Sequence, residues 1–448
     1  MKSQSRPLSF AIALFGALSL SACSAQTLDA SLRLRIDLDR AVLPADAPDR
    51  AIVKICLDGL RLPRHELRPP VNLALVIDRS GSMSGEKIDK AKEAAREVLR
   101  HLSSDDVFSL VAYSTDVRTL IPAQPVGNGR AIERAIDSIE AGGNTALFAG
   151  VSQGASELRR YSESIDGVNR IVLLSDGLAN VGPSSPEELG RLGAALMKEG
   201  ISVTTVGLGL GYNEDLMTRL AQRSDGNTYF VESSSELPRI FTAELGDVLN
   251  VIARRVVVEI EFPDFVRPLG FVGREGVIHG RKAELTLNQL YGGQEKFALV
   301  EVEVTPPESG AELEIARARV SYDDVVTRRN ATLTATRSVQ FSRSRRVVIE
   351  SADQKVQADY AVNYIAIAKD KAVELVDSGR KAEAAQEMRQ RAAELQKMAE
   401  TYRNFSVASA AAAMPAEAEK LEREGLDNAA RKSYRADSAQ TRNQQSSR

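Results

Sequence analysis

Residues 72–83 read Asn-Leu-Ala-Leu-Val-Ile-Asp-Arg-Ser-Gly-Ser-Met. The run 72–77 is short and almost wholly apolar, the pattern of a strand covered on both faces. It ends in a carboxylate, Asp78, followed by hydroxyls at alternate positions, Ser80 and Ser82. In an open parallel sheet the carboxyl ends of the strands form the binding crevice. Three oxygen ligands presented there suit a hard cation, and Gly81 lets the loop turn tightly.

Outward from this stretch, short apolar runs alternate with helical patterns. Helices are expected at 87–102, 131–139, 147–158, 186–199, 214–222 and 237–249. Strands are expected at 107–113, 117–121, 170–175, 201–206 and 228–231. Pro186 stands at the first turn of its helix and Gly200 just past its end. Strand–helix alternation of this kind means an α/β unit over 71–250, with a doubly wound, mostly parallel sheet covered by helices on both faces.

Asp78-x-Ser80-x-Ser82 resembles the metal-ion-dependent adhesion site of von Willebrand factor type A (vWA) domains. That motif also takes a threonine from a later loop and an aspartate after a central strand. Gly142-Gly143-Asn144-Thr145 supplies the first and Leu174-Ser175-Asp176-Gly177 the second. All five positions are filled in order, on the expected elements, and the resemblance covers 72–249. It implies a Rossmann-like fold in which Ser80, Ser82 and Thr145 coordinate the metal directly, while Asp78 and Asp176 act largely through bound waters. Neutral hydroxyls donate little charge, so an open coordination position attracts an acidic side chain from a partner. Mg²⁺ fits such oxygen geometry best, with Mn²⁺ or Ca²⁺ as alternatives.

Each of these residues also has an ordinary reading. Ser80 and Ser82 are candidate caps for the helix that follows, and Asn144-Thr145 for the helix at 147. Asp176-Gly177 reads equally as a turn. It is their coincidence in one crevice that favours the metal. Asn180 and the loop 182–185 lie beside Asp176 and are candidates for shaping a ligand surface.

The flanks of the α/β unit differ from it. Residues 32–38 alternate apolar and charged side chains, and 51–57 form a second strand pattern. Strands are expected again at 255–262, 284–290, 296–304 and 312–322, with turns at Pro263, Gly292-Gly293 and Pro306-Pro307. We read 23–70 and 251–350 as one β-sandwich split by insertion of the α/β domain, with two small β units as the alternative. Residues 351–425 are helical. Apolar stripes there, broken at Ser378-Gly379, give a helical hairpin, followed by a weak helix at 415–424. Residues 426–448 have little apolar content and are expected to be a disordered tail.

The first 22 residues have Lys2 and Arg6, then an apolar stretch ending in small residues, as in a secretion signal. Leu20-Ser21-Ala22-Cys23 resembles the lipobox of bacterial lipoproteins. That resemblance implies cleavage before Cys23 and lipidation of its thiol. Acyl chains supply about 0.8 kcal/mol per buried methylene, so several on one residue give a stable anchor. Ser24 after the cysteine favours the outer membrane in Gram-negative families. A lipid-anchored protein of the bacterial cell envelope is therefore expected, touching the membrane through its anchor only.

The chain has 448 residues, enough for two to four domains, and a formal charge of −3. That balance argues against nucleic-acid binding, which needs a concentrated basic face. Its two cysteines are Cys23 and Cys56. With Cys23 lipidated, Cys56 has no disulfide partner and reads as a half-buried structural thiol. His65, His101 and His279 show no zinc-peptidase spacing. No nucleophile–base pair or phosphate loop is evident, so an enzyme is not expected.

The flanking arrangement resembles bacterial relatives of the inter-alpha-trypsin inhibitor heavy chains and the YfbK-like lipoproteins. The expected function is metal-dependent capture of an acidic residue on a protein or matrix-like ligand. An envelope assembly or scaffold factor, docking partners through the helical region, is the alternative. A hydrolase is a third reading.

Overall fold

The computed structural model describes residues 31–61, 68–162, 164, 167–306 and 310–445. The expected signal segment 1–22 and the lipidation site Cys23 lie outside the described residues.

Three strands open the described chain: β1 (Leu32–Leu38), β2 (Val42–Pro44) and β3 (Asp49–Gly59). The α/β unit follows as β4 (Val71–Asp78), α1 (Glu86–His101), β5 (Val107–Tyr113), β6 (Val117–Pro125), α2 (Arg130–Asp137), α3 (Leu147–Ser162) and β7 (Val168–Ser175). It continues through α4 (Pro186–Lys198), β8 (Ile201–Leu208), α5 (Glu214–Arg223), β9 (Thr228–Val231) and α6 (Leu237–Val248). Seven strands come next: β10 (Val251–Glu261), β11 (Val266–Val272), β12 (Val277–His279), β13 (Lys282–Tyr291), β14 (Glu295–Val304), β15 (Glu312–Asp324) and β16 (Arg329–Ser342). Six helices close the described chain: α7 (Arg345–Glu350), α8 (Gln354–Asp377), α9 (Lys381–Tyr402), α10 (Phe405–Ala411), α11 (Met414–Glu424) and α12 (Asn428–Arg442).

The sheet of the α/β unit has the order β6-β5-β4-β7-β8-β9. Its neighbours are parallel except β6, which runs antiparallel to β5. β4 is central and buried along its whole length, which is why its sequence is continuously apolar rather than alternating. Leu73, Leu75 and Ile77 face a core built with α1 and α6. Ala74 and Val76 face the opposite core, built with α3, α4 and α5. Full burial of each such leucine or valine contributes about 1.5–3 kcal/mol.

The strands on either side of this unit form one sandwich. β3 pairs antiparallel with β14 from Asp49↔Val304 to Asp58↔Glu295. One sheet has the order β1-β3-β14-β11 and the other β12-β13-β10-β15-β16-β2. Alternate apolar residues of both, among them Val53, Ile55, Val258, Ile260, Val300 and Val320, share one core. The α/β unit is thus inserted between β3 and β10, and two separate β units are not what the pairing gives.

Buried polar links fix the α/β unit on the sandwich. Arg170, fully buried near the start of β7, donates to Gln289 Oε1 at 2.7 Å and to Tyr291 Oη at 2.5 Å. Its guanidinium also lies 3.3 Å from buried Glu244 of α6. Asp225 accepts from Arg274 at 3.0 Å and from the backbone N–H of Asn288 at 2.8 Å. These contacts sit toward the amino ends of the strands and leave the carboxyl ends free.

The C-terminal region corrects two expectations. It is more than a hairpin and one weak helix: the helix expected at 415–424 is α11, α10 is a further one, and both pack on α9. The expected disordered tail at 426–448 also does not hold, because 428–442 form helix α12, capped by Asp427, whose side chain accepts from Ala430 N–H at 2.7 Å. The buried face of α12 carries Lys432, Ala436, Ser438 and Ala439. A set of ion pairs holds it in place: Arg431 pairs with Glu214, Asp215 and Asp377, Lys432 with Glu214, and Arg435 with Asp215 and Asp370. Past its end, Gln445 Oε1 accepts from Thr228 N–H at 3.0 Å on edge strand β9, while Gln440 Nε2 donates to Thr228 O at 3.0 Å.

Cys56 is fully buried rather than half-buried, with its thiol 3.3 Å from Asp37 Oδ2. Among the described residues no helix is long and apolar enough to cross a membrane.

Candidate metal centre

β4 and β7 are adjacent parallel strands, so Asp78 and Asp176 emerge side by side at their carboxyl ends. Both are buried, Asp78 at 0% and Asp176 at 1% exposure. After Asp78 the chain makes a single 3₁₀ turn, Gly81–Met83, and enters α1 through Gly85 at φ +78°. Neither turn nor helix takes a side-chain cap from Ser80 or Gly85. The capping reading of the serines therefore fails, and their hydroxyls face the crevice instead.

Four of the five expected residues form one hydrogen-bonded chain. Ser80 N–H donates to Asp78 Oδ1 at 2.8 Å. The Ser80 and Ser82 hydroxyls lie 3.0 Å apart, and Ser82 Oγ donates to Asp176 Oδ1 at 2.6 Å. Thr145 completes the group. A Cβ placed on Gly177 would stand 3.2 Å from Ser82 Oγ, 3.2 Å from Thr145 Oγ1 and 3.7 Å from Ser80 Oγ. The three hydroxyls thus converge on a space that stays open because residue 177 has no side chain.

The loops that carry these groups are stitched together. Gly81 N–H donates to Gly143 O at 3.0 Å, and Gly142 N–H to Arg79 O at 2.6 Å. Gly143 sits at φ +88°, and a side chain there would strike Thr115 and Ser114. Asn180 brackets Thr145: its Oδ1 accepts from Thr145 N–H at 2.9 Å, and its own N–H donates to Thr145 O at 3.1 Å. Its role is to hold the threonine loop. The neighbouring Ser185 forms a capping box with Glu188 at the start of α4.

Two side chains at the site were not singled out from sequence. Ser175 Oγ donates to Asp78 Oδ2 at 2.8 Å. Lys87, on α1, places its Nζ 2.6 Å from Asp176 Oδ2. Burial pushes the Asp78 carboxyl above its ordinary range, against the hydrogen bonds from Ser80 and Ser175, and the nearby Asp176 adds to the rise. A cation placed among these groups relieves that strain. The donors are all oxygen, two carboxylates and three hydroxyls. Such a set fits a hard divalent ion. Among the described residues there is no group of three or more His, Cys, Asp or Glu placed to hold a metal ion, so the hydroxyls are essential to this one.

Residues 72–243 match the family model of the von Willebrand factor type A domain. This segment is a type A domain. Over 215 residues the chain is 30% identical to the uncharacterized protein YfbK of Escherichia coli (strain K12), covering 47% of this chain and 37% of that protein. It is 28% identical over 203 residues to inter-alpha-trypsin inhibitor heavy chain H3 of Pongo abelii, covering 44% of this chain and 23% of that protein. The chain spans less than two thirds of the length of the curated relatives it matches. The crystal structure of the ArnB paralog VWA2 from Sulfolobus acidocaldarius superposes with a TM-score of 0.61 at 18% identity. That superposition covers 92% of this chain and 98% of the other, a likeness of fold. Type A domains are often metal-dependent protein-interaction modules, and their proteins are generally not enzymes.

Proposed function

We propose that the crevice at the carboxyl ends of β4 and β7 holds a divalent cation, Mg²⁺ in the first place, and through it captures an acidic side chain of a protein partner. The observation that carries this reading is the convergence of Ser80, Ser82 and Thr145 on the open space at Gly177, with Asp78 and Asp176 behind them. Two carboxylates do not neutralise a divalent ion and the Lys87 ammonium together, so the loaded site stays positive and attracts a carboxylate. Leu178 and Leu210, 60% and 53% exposed, flank the site on the loops after β7 and β8. Exposed apolar side chains beside a charged centre suit a protein surface better than a free ion.

The residues supply the chemistry of holding. Ser80, Ser82 and Thr145 offer hydroxyl oxygens, and Asp78 and Asp176 offer carboxylates already oriented by Ser80, Ser175 and Ser82. We further propose, from the resemblance of 20–23 to a lipobox, that the protein works anchored at the bacterial cell envelope. Replacing Cys23 with serine is then expected to release it from membranes.

The direct test is calorimetric titration of the full chain with Mg²⁺. Binding by wild type and none by Asp78→Ala supports the reading; equal binding by both sinks it. A scaffold role for the helical region is the second reading. It is favoured by Phe405, 85% exposed at the start of α10.

A further inference from the structure

We infer that Lys87 is a built-in competitor for the metal, a tethered cation whose contact with Asp176 sets the affinity of the crevice for divalent ions. The inference rests on the metal reading above and adds a residue that the five-residue motif does not contain.

The placement of Lys87 runs against local preference. It is the second residue of α1. The amino end of a helix carries partial positive charge, so a cation in the first turn is disfavoured there, whereas the neighbouring Glu86 and Asp89 are favoured. Lys87 nevertheless turns toward the crevice, where its Nζ lies 2.6 Å from Asp176 Oδ2. The other oxygen of the same carboxylate accepts from Ser82 at 2.6 Å. Asp176 therefore divides its two oxygens between a motif hydroxyl and an ammonium.

The β8–α5 loop borders the pair: a Cβ on Gly209 would come 4.0 Å from Nζ, and one on Gly211 would come 2.7 Å from the Asp176 carbonyl oxygen. The Asp176 side chain is fully buried, whereas that of Lys87 is 38% exposed. The ammonium stands at the mouth and the carboxylate at the base.

Two consequences follow. Without a divalent ion, Lys87 partly neutralises two buried carboxylates that would otherwise repel each other. A divalent ion entering the hydroxyl cradle meets a like charge across the Asp176 carboxylate, and that carboxylate is already engaged. Both effects lower metal affinity, and burial of the carboxylate end of the pair limits their screening by solvent.

The test is Mg²⁺ calorimetry on the full chain as wild type, Lys87→Met and Lys87→Arg, with thermal melts in chelator and in excess Mg²⁺. Lys87→Met is expected to bind Mg²⁺ about tenfold more tightly, and Lys87→Arg within about threefold of wild type. In chelator, Lys87→Met should melt below wild type, and Mg²⁺ should raise its Tm by more than it raises that of wild type. A merely structural lysine would give a loss of Tm that Mg²⁺ does not restore. Equal or weaker Mg²⁺ binding by Lys87→Met, with wild type binding normally, overturns the inference and leaves the metal reading standing. Absence of binding by wild type and Lys87→Met alike overturns both.

Discussion

Ser175 and Asp78 are joined across the two central strands of the type A domain: the serine hydroxyl donates to Asp78 Oδ2 at 2.8 Å, in a fully buried contact. The last side chain of β7 thereby orients the last side chain of β4. Ser175→Ala removes this donor without adding bulk and leaves a buried carboxylate oxygen unpaired. The expected result is a stability loss of about 1–3 kcal/mol in denaturant unfolding. Mg²⁺ binding should weaken by about tenfold, since holding ligands in position typically contributes 10–100-fold to affinity. Unchanged calorimetric affinity would show that Asp78 is oriented without it.

Gly177 offers a steric probe of the cradle. Its φ is not positive, so alanine is compatible with the backbone, yet the added Cβ would enter the space among Ser80, Ser82 and Thr145. Gly177→Ala should fold, with an unaltered circular dichroism spectrum, and fail to take up Mg²⁺. Normal uptake would place the ion elsewhere.

Arg170 and Glu244 form a fully buried ion pair where the type A domain meets the sandwich. Arg170→Met removes the guanidinium and keeps much of the volume. Breaking one side of such a pair costs about 3–5 kcal/mol, readable as a shift in the urea midpoint. Because the pair lies at the far end of the strands from the crevice, Mg²⁺ affinity measured well below the melting temperature should stay within about twofold.

Glu295 gives the protein an acid-sensitive joint. Burial alone would raise its carboxyl. The hydrogen bonds and charges of Lys355 and Lys54 outweigh that and bring it from its ordinary 4.5 down to about 2. Between these values the unfolded chain binds the proton more readily than the folded one. The stabilisation is therefore complete above pH 4.5 and is lost as pH falls toward 2. Glu295→Gln should melt below wild type at pH 7, with a gap that narrows in melts at pH 3. A gap independent of pH would rule this linkage out.

What the sequence made legible depended on how far apart the interacting residues lie. The segment 72–83 carried both a strand buried on two faces and the start of the metal motif, so fold and site were read together. Thr145 and Asp176 were found because the resemblance to the type A metal motif asks for a threonine in a later loop and an aspartate after a central strand. Ser175 and Lys87 were missed because their partners lie 97 and 89 positions away and nothing local marks them. Helix α12 was missed for another reason. Sequence patterns report apolar faces, whereas the buried face of α12 sets Lys432 and Ser438 beside two alanines, and its ion pairs depend on carboxylates supplied by α5 and α8.

The seating of α12 against β9 also bears on how this protein can be divided. A fragment cut at the family boundaries, 72–243, would lose Gln440 and Gln445 from the backbone of Thr228 and bare the outermost strand of the sheet. It would also strip Arg431, Lys432 and Arg435 from Glu214 and Asp215. An uncovered edge is a template for pairing with another copy. The excised domain should therefore self-associate at concentrations where the whole chain does not, and the last helix acts as the seal that keeps the sheet a closed set of six strands.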